Sequence, residues 1–222
     1  LTVRAGDMSR AGDALLRGCR LRQDNARLPA ARGAARERKE RSGMTISPLT
    51  HNTRPEGELP PQETAAFDLL EKLGIEYDRV SSDPADTMEK CAEVSKALGV
   101  PICKNLFLCN RQKTQFYLLA MGPDKPFRTK DLSAQIGSSR LSFAPEESLW
   151  ELLRCTPGSA TVLGLMNDTQ HAVRLLMERE VYEAEYLSCH PCLCTSSLKL
   201  RTRDVLEKLL PYTGHDVSVV DL

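Results

Sequence analysis

"ICKNLFLCNRQKTQFYLLAM", residues 102–121, carries two apolar runs on either side of the polar loop Asn110 to Thr114. Two such runs, joined by so few polar residues, pair as an antiparallel hairpin. Helical signals surround it. Upstream, "QETAAFDLLEKLG" places Ala66, Phe67, Leu70 and Leu73 on one stripe and stops at Gly74. "IEYDRV" reads as a strand, and "DPADTMEKCAEVSKALG" as a helix with Asp86 as N-cap, Glu89 three residues on and a stop at Gly99. Downstream, a helix is expected over Thr129 to Ile136 and another in "APEESLWELLR", with Pro145 in its first turn. A second hairpin is expected in "TPGSATVLGLMNDTQHAVRLLM", turning at Asn167 and Asp168, with Thr169, Gln170 and His171 opening the return strand. Hairpins interleaved with helices predict an α/β fold of the mixed kind (α+β), not a doubly wound parallel sheet.

The 222 residues do not share one composition. Residues 1–43 carry eleven basic and five acidic side chains and no aromatic, whereas 44–222 carry 19 basic and 25 acidic. The first piece is rich in Ala, Arg and Gly and offers too little apolar surface to order itself, so 1–43 is expected to be a disordered extension. Asp7, Asp13, Asp24, Glu37 and Glu40 spoil a mitochondrial presequence, and the apolar core of a secretory signal is missing. A basic arm for RNA is the functional alternative. The chain opens on Leu1 and Met44 follows the basic run, an arrangement that also fits upstream sequence absent from the main product. Residues 44–61, "MTISPLTHNTRPEGELPP", show no period and read as a linker. The folded domain is therefore expected over 62–222. No stretch has the roughly 18 apolar residues of a membrane span. Eight cysteines without a signal peptide suggest free thiols in a reducing, cytoplasmic setting.

Lys104 sits inside an apolar run, where a lysine either snorkels from a sheet edge or points into a cleft. Asn105 beside it is an exposed amide or a polar contact. "TPGSATVLG", 156–164, holds a Gly-Ser turn that permits close backbone approach. "YLSCHPCLC", 186–194, packs Cys189, His190, Cys192 and Cys194 together. Read as a strand over Tyr186 to Leu193, it turns His190, Cys192 and Cys194 to one face and Cys189 to the other. Structural zinc usually wants four ligands in paired knuckles, and Cys91, Cys103, Cys109 and Cys155 are solitary, so no metal is expected. A Cys103 nucleophile is disfavoured, because adjacent strand residues face opposite ways and Lys104 would take the cleft.

"GVPICKNLFLCNRQKTQFYLLAM", "KDLSAQIGSSRLSFAPEESLWELLRCTPGSATVLGLMND", His-Pro at 190–191 and "TGHDVSVVDL" together resemble the YbaK/prolyl-tRNA editing family. The resemblance runs in order from about Gln62 to Leu222. It implies a compact YbaK-like domain around a mixed, barrel-like sheet that clears a wrongly attached amino acid, chiefly alanine, from proline tRNA. It implies Lys104 as the catalytic residue. Asn105, Gly158, Ser159, Thr161 and His190 are implied as substrate-binding, with no metal and no cofactor. Mischarged proline tRNA is the implied partner, with prolyl-tRNA synthetase or an elongation factor beside it. Relatives often have Pro-Phe at Val162 and Leu163, and Asn near Cys194. Those departures keep alive a second reading, a weak or inactive homologue that binds tRNA or a synthetase. Basic candidates for phosphate contact are Lys104, Arg111, Lys113, Lys125, Arg128, Lys130 and Arg140, with Lys199, Arg201 and Arg203 as a second cluster.

Overall fold

The computed structural model describes residues 44–222, apart from 84, 86 and the side chain of Met88. The expected extension 1–43 and the expected N-cap Asp86 lie outside the described residues. Strand β1 is Thr50–His51, followed by helix α1 (Pro61–Leu73), β2 (Tyr77–Ser81), α2 (Met88–Leu98), β3 (Lys104–Cys109) and β4 (Phe116–Met121). Next come α3 (Thr129–Gln135), β5 (Ser142–Phe143), α4 (Glu146–Leu153), a 3-10 turn at Val162–Asn167, β6 (Val173–Glu178) and α5 (Arg179–Glu183). Then β7 (Tyr186–Cys189) pairs with β8 (Ser196–Arg201). A helical run, α6 (Thr202–Asp204), a π turn (Val205–Leu209) and α7 (Leu210–Thr213), precedes β9 (Val217–Val220).

The α/β mixture is as expected, but the strands divide into two sheets. One is antiparallel in the order β1-β2-β8-β7, and the other is mixed in the order β5-β3-β4-β6-β9. The hairpin β3–β4 is the one that opened the reading, in register from Lys104↔Met121 to Cys109↔Phe116. Its loop is closed by Asn110, whose Oδ1 accepts the Thr114 and Gln115 N–H groups at 2.9 and 3.2 Å. Phe67, Leu70, Leu118, Leu163, Leu175, Leu198 and Leu200 pack between helices and sheets into the main core.

Three expectations change. The second hairpin does not form: 162–167 is a 3-10 turn, and β6 runs parallel to β4 instead of folding back on a preceding strand. The reason is Asp168, which is buried and accepts the Ala172 and Val173 N–H groups at 3.0 and 2.7 Å and contacts His215 Nε2 at 3.0 Å. That carboxylate ties the start of β6 to the segment before β9 and leaves no tight two-residue turn. The segment 44–61, read as a linker, contributes β1 to the edge of the first sheet, and Ile46 bridges to Ser82. Helix α2 is capped by Thr87, whose hydroxyl accepts Lys90 N–H at 3.3 Å.

Candidate active site

Lys104 is the first residue of β3, where ladder pairing to β4 begins. From there its side chain enters a cleft of about 250 Å³ whose lining includes Asn105, Val94, Ile102, Pro123, Gly158, His190, Cys194 and Ser197. Four of the six residues implied as functional therefore meet in one hollow, although they come from one strand and two loops. Among the described residues the Lys104 Nζ reaches only the Lys125 carbonyl, at 3.5 Å, so its ammonium is loosely held and faces the cleft with donors to spare.

His190 follows β7 and begins the turn that joins it to β8. Its Nδ1 lies 2.9 Å from the Ser196 carbonyl. A carbonyl only accepts, so Nδ1 carries the proton and the neutral ring keeps a lone pair at Nε2. Burial pushes the imidazole below its ordinary value of 6.5, against a smaller opposing pull from the Ser196 carbonyl. The ring is therefore neutral at physiological pH. Between pH 6.5 and its lower value in the fold, the unfolded chain binds this proton and the folded chain does not. Stability is thus expected to rise with pH across that window and to level off above it. Chemical unfolding at stepped pH checks this, with His190→Gln flattening the rise.

The turn 190–195 overturns the strand expected over Tyr186 to Leu193. Cys192 has φ +64 and is buried, so His190, Cys192 and Cys194 do not share a face. The turn is pinned at three points. Thr195 donates to Glu63 Oε1 at 2.9 Å, Cys194 Sγ donates to the Gly158 carbonyl at 3.2 Å, and the Ser159 hydroxyl lies 2.9 Å from the Cys192 carbonyl. Pro157 and Gly158 form the corner of a turn closed by Ser159 N–H to Thr156 O at 2.9 Å, and the φ of +88 at position 158 is one that glycine tolerates best. Gly158 borders the cleft. Ser159 and Thr161 do not: both are fully buried, Ser159 joining the two loops and Thr161 capping the 3-10 turn through Leu163 N–H at 3.3 Å. Val162 and Leu163 are buried in the core too, so of the three departures only Cys194 reaches the cleft.

Burial raises the thiols of Cys103, Cys189 and Cys194, which keeps them protonated and poorly nucleophilic. Cys103 borders the cleft as well, since it precedes the ladder and the alternation expected between it and Lys104 starts one residue later. Among the described residues no three His, Cys, Asp or Glu side chains gather to hold a metal ion. Lys199, Arg201 and Arg203 are engaged by Asp78, Glu185 and Glu207, which weakens that cluster as a phosphate surface. Arg111 and Lys113 lie at the hairpin's far end from Lys104. The cleft walls Pro123 and Ser197 went unread, although the register Lys104↔Met121 places residue 123 beside the mouth once the hairpin is drawn.

Residues 82–208 match the aminoacyl-tRNA editing domain. The chain belongs to this family. It is 29% identical over 158 residues to the prolyl-tRNA editing protein ProX of Acetoanaerobium sticklandii, covering 71% of this chain and 96% of that one. It is also 29% identical over 150 residues to the prolyl-tRNA synthetase associated domain-containing protein 1 of Danio rerio, covering 67% and 80%. A solved structure described as a proposed trans-editing enzyme for prolyl tRNA synthetase superimposes with TM-score 0.55 at 18% identity, over 74% of this chain and 99% of that chain, which shows a shared fold. The stretch that matches the family includes Lys104, Asn105, Gly158 and His190, and no helix among the described residues is long and apolar enough to cross a membrane.

Proposed function

We propose that this chain is a trans-acting deacylase that hydrolyses the ester of mischarged proline tRNA, alanyl-tRNA above all, with Lys104 as its catalytic residue. The observation that carries the reading is the placement of a loosely tethered ammonium and a neutral imidazole in one small cleft. Water adds to the ester carbonyl carbon, the bond to the ribose oxygen breaks, and the proton from water passes to that oxygen. Negative charge builds on the former carbonyl oxygen, where the Lys104 ammonium offsets it. His190 Nε2 can accept a hydrogen bond from the attacking water or the terminal ribose hydroxyl and orient it. Asn105 and the Gly158 loop supply further contacts to the acylated ribose. The hollow of about 250 Å³, walled by Val94, Ile102 and Pro123, suits a short acyl side chain. Proline tRNA and prolyl-tRNA synthetase are the partners this reading implies.

Cys194 favours a second reading, a binding-only homologue, because it puts a thiol on the cleft wall where relatives often carry an amide. Proline tRNA charged separately with alanine, cysteine, serine and proline decides between them. Hydrolysis of the alanyl ester with the prolyl ester spared is the expected result; no hydrolysis of any of the four moves the conclusion to binding alone. His190→Ala is expected to lower the rate by about 10-fold, as one lost polar contact of roughly 1–3 kcal/mol implies. The wild-type rate is expected to hold as the pH drops through 6.5 and to fall only at the lower, burial-depressed pKa at which the folded ring charges.

A further inference from the structure

Lys104 opens β3 of the mixed sheet and His190 directly follows β7 of the antiparallel one, so their spacing depends on what joins those sheets beside the cleft. That joint is Ser188, two residues before His190 on β7 and 3% exposed. Its Oγ accepts the Cys103 N–H at 2.7 Å and donates to the Pro101 carbonyl at 2.9 Å. One hydroxyl thus spends its donor and one acceptor on the three residues that lead into Lys104. Cys103 needs this partner. It precedes the β3–β4 ladder, and β5 reaches β3 only at Leu108 and Cys109, so the sheet offers its N–H nothing.

We propose that Ser188 is a positioning residue of the deacylase, locking the entry of β3 to β7 so that the Lys104 ammonium faces the His190 imidazole. This rests on the reading of the cleft given above. The lever is short on both sides. One residue separates Ser188 from His190, and the Cys103 N–H that Ser188 holds belongs to the residue directly before Lys104. Because the Lys104 ammonium has, among the described residues, only a 3.5 Å contact of its own, its place is set by where its backbone is held. A displacement near 1 Å in such a site lowers rates on the order of 100-fold.

Ser95 supplies the control. From α2 its hydroxyl accepts the Ile102 N–H at 3.1 Å, so Ser95→Ala removes a similar bond from the same segment without touching β7. Single-turnover deacylation by Ser188→Ala is expected to be slower by about 10- to 100-fold at saturating alanyl-tRNA, with half-saturation unchanged. Ser95→Ala is expected to stay within about threefold of wild type, since only the β7 link sets the pair. Amide exchange at Cys103 should quicken in Ser188→Ala while Phe107 and Leu118 stay protected, and the His190 ring resonances should shift in this variant alone. If Ser188→Ala does not fold, Ser188→Cys, which fills the space but donates weakly, carries the same expectation. A wild-type rate in the Ser188 variant, or equal losses in both serine variants, overturns the proposal. Should the unmutated protein deacylate nothing, the functional reading fails by itself. The exchange and ring signals then still report on Ser188, and His190 resonances unmoved in Ser188→Ala overturn the positioning role.

Discussion

Lys104→Ala is expected to reduce hydrolysis of alanyl-tRNA by at least about 100-fold, the scale on which removing one charge-stabilising donor acts in acyl transfer. Its melting midpoint should stay where it is. The two halves of this expectation come from one piece of geometry. The side chain leaves the first rung of β3 into a wet cleft, so truncation opens no core cavity, while Leu106, Phe107 and Leu108 hold the strand as before. Lys104→Arg is expected to recover little, because the planar, forked guanidinium spreads its charge away from the point where a compact ammonium sits. Single-turnover rates with circular dichroism melts as the folding control decide it. A folded Lys104→Ala protein hydrolysing at the wild-type rate would remove the charge from the mechanism and leave positioning by His190 and the Gly158 loop as the source of any activity.

The elements legible from the chain are those whose signals are local. The hairpin 102–121 carries its own turn chemistry in Asn110, and α1 and α2 carry stop signals in Gly74 and Gly99, both in left-handed conformation. Lys104 stood out because an apolar run makes a lysine conspicuous. The misread elements depend on partners distant in sequence. Asn167 and Asp168 look like a two-residue turn until His215, 47 residues on, is seen against the Asp168 carboxylate. The run Tyr186 to Leu193 looks like one strand until the Ser159 hydroxyl is seen against the Cys192 carbonyl, with Gly158 and Glu63 holding Cys194 and Thr195 just beyond, so that its end is a turn. Ser159 and Thr161 belong to a motif next to the cleft, but both are buried, with one hydroxyl joining two loops and the other capping the 3-10 turn, which a linear pattern does not record. Ser188 left no trace at all in the sequence, since a serine in a short strand says nothing about which main-chain groups it will meet.

The largest expected effect on stability comes from the segment 44–61. A chain that begins at Gln62 is expected to lose several kcal/mol of stability, a large part of the roughly 5–15 that domains of this kind possess. A chain that begins at Ser42 should melt like the full protein. Removing 44–61 strips β1 from the open edge of β2 and deletes a set of short bonds. These are Ser47 N–H to Ser81 O at 2.8 Å, Asn52 N–H to Tyr77 O at 2.9 Å, and the Asn52 side chain to Tyr77 N–H at 2.8 Å. Arg79, only 7% exposed, loses the Thr53 carbonyl that accepts its Nε–H at 2.8 Å, and a buried guanidinium without that acceptor is costly. Met44 and Ile46 also uncover the apolar cluster of Val80, Val94, Leu98 and Val100. Val94 and Ser82 line the cleft, so the loss reaches the site: the shortened chain should deacylate more slowly even at temperatures where it remains folded. Urea unfolding of the two chains, with alanyl-tRNA hydrolysis measured alongside, tests both parts. Equal midpoints would return 44–61 to the status of a linker, and equal rates would show that the cleft does not depend on the strand that covers β2.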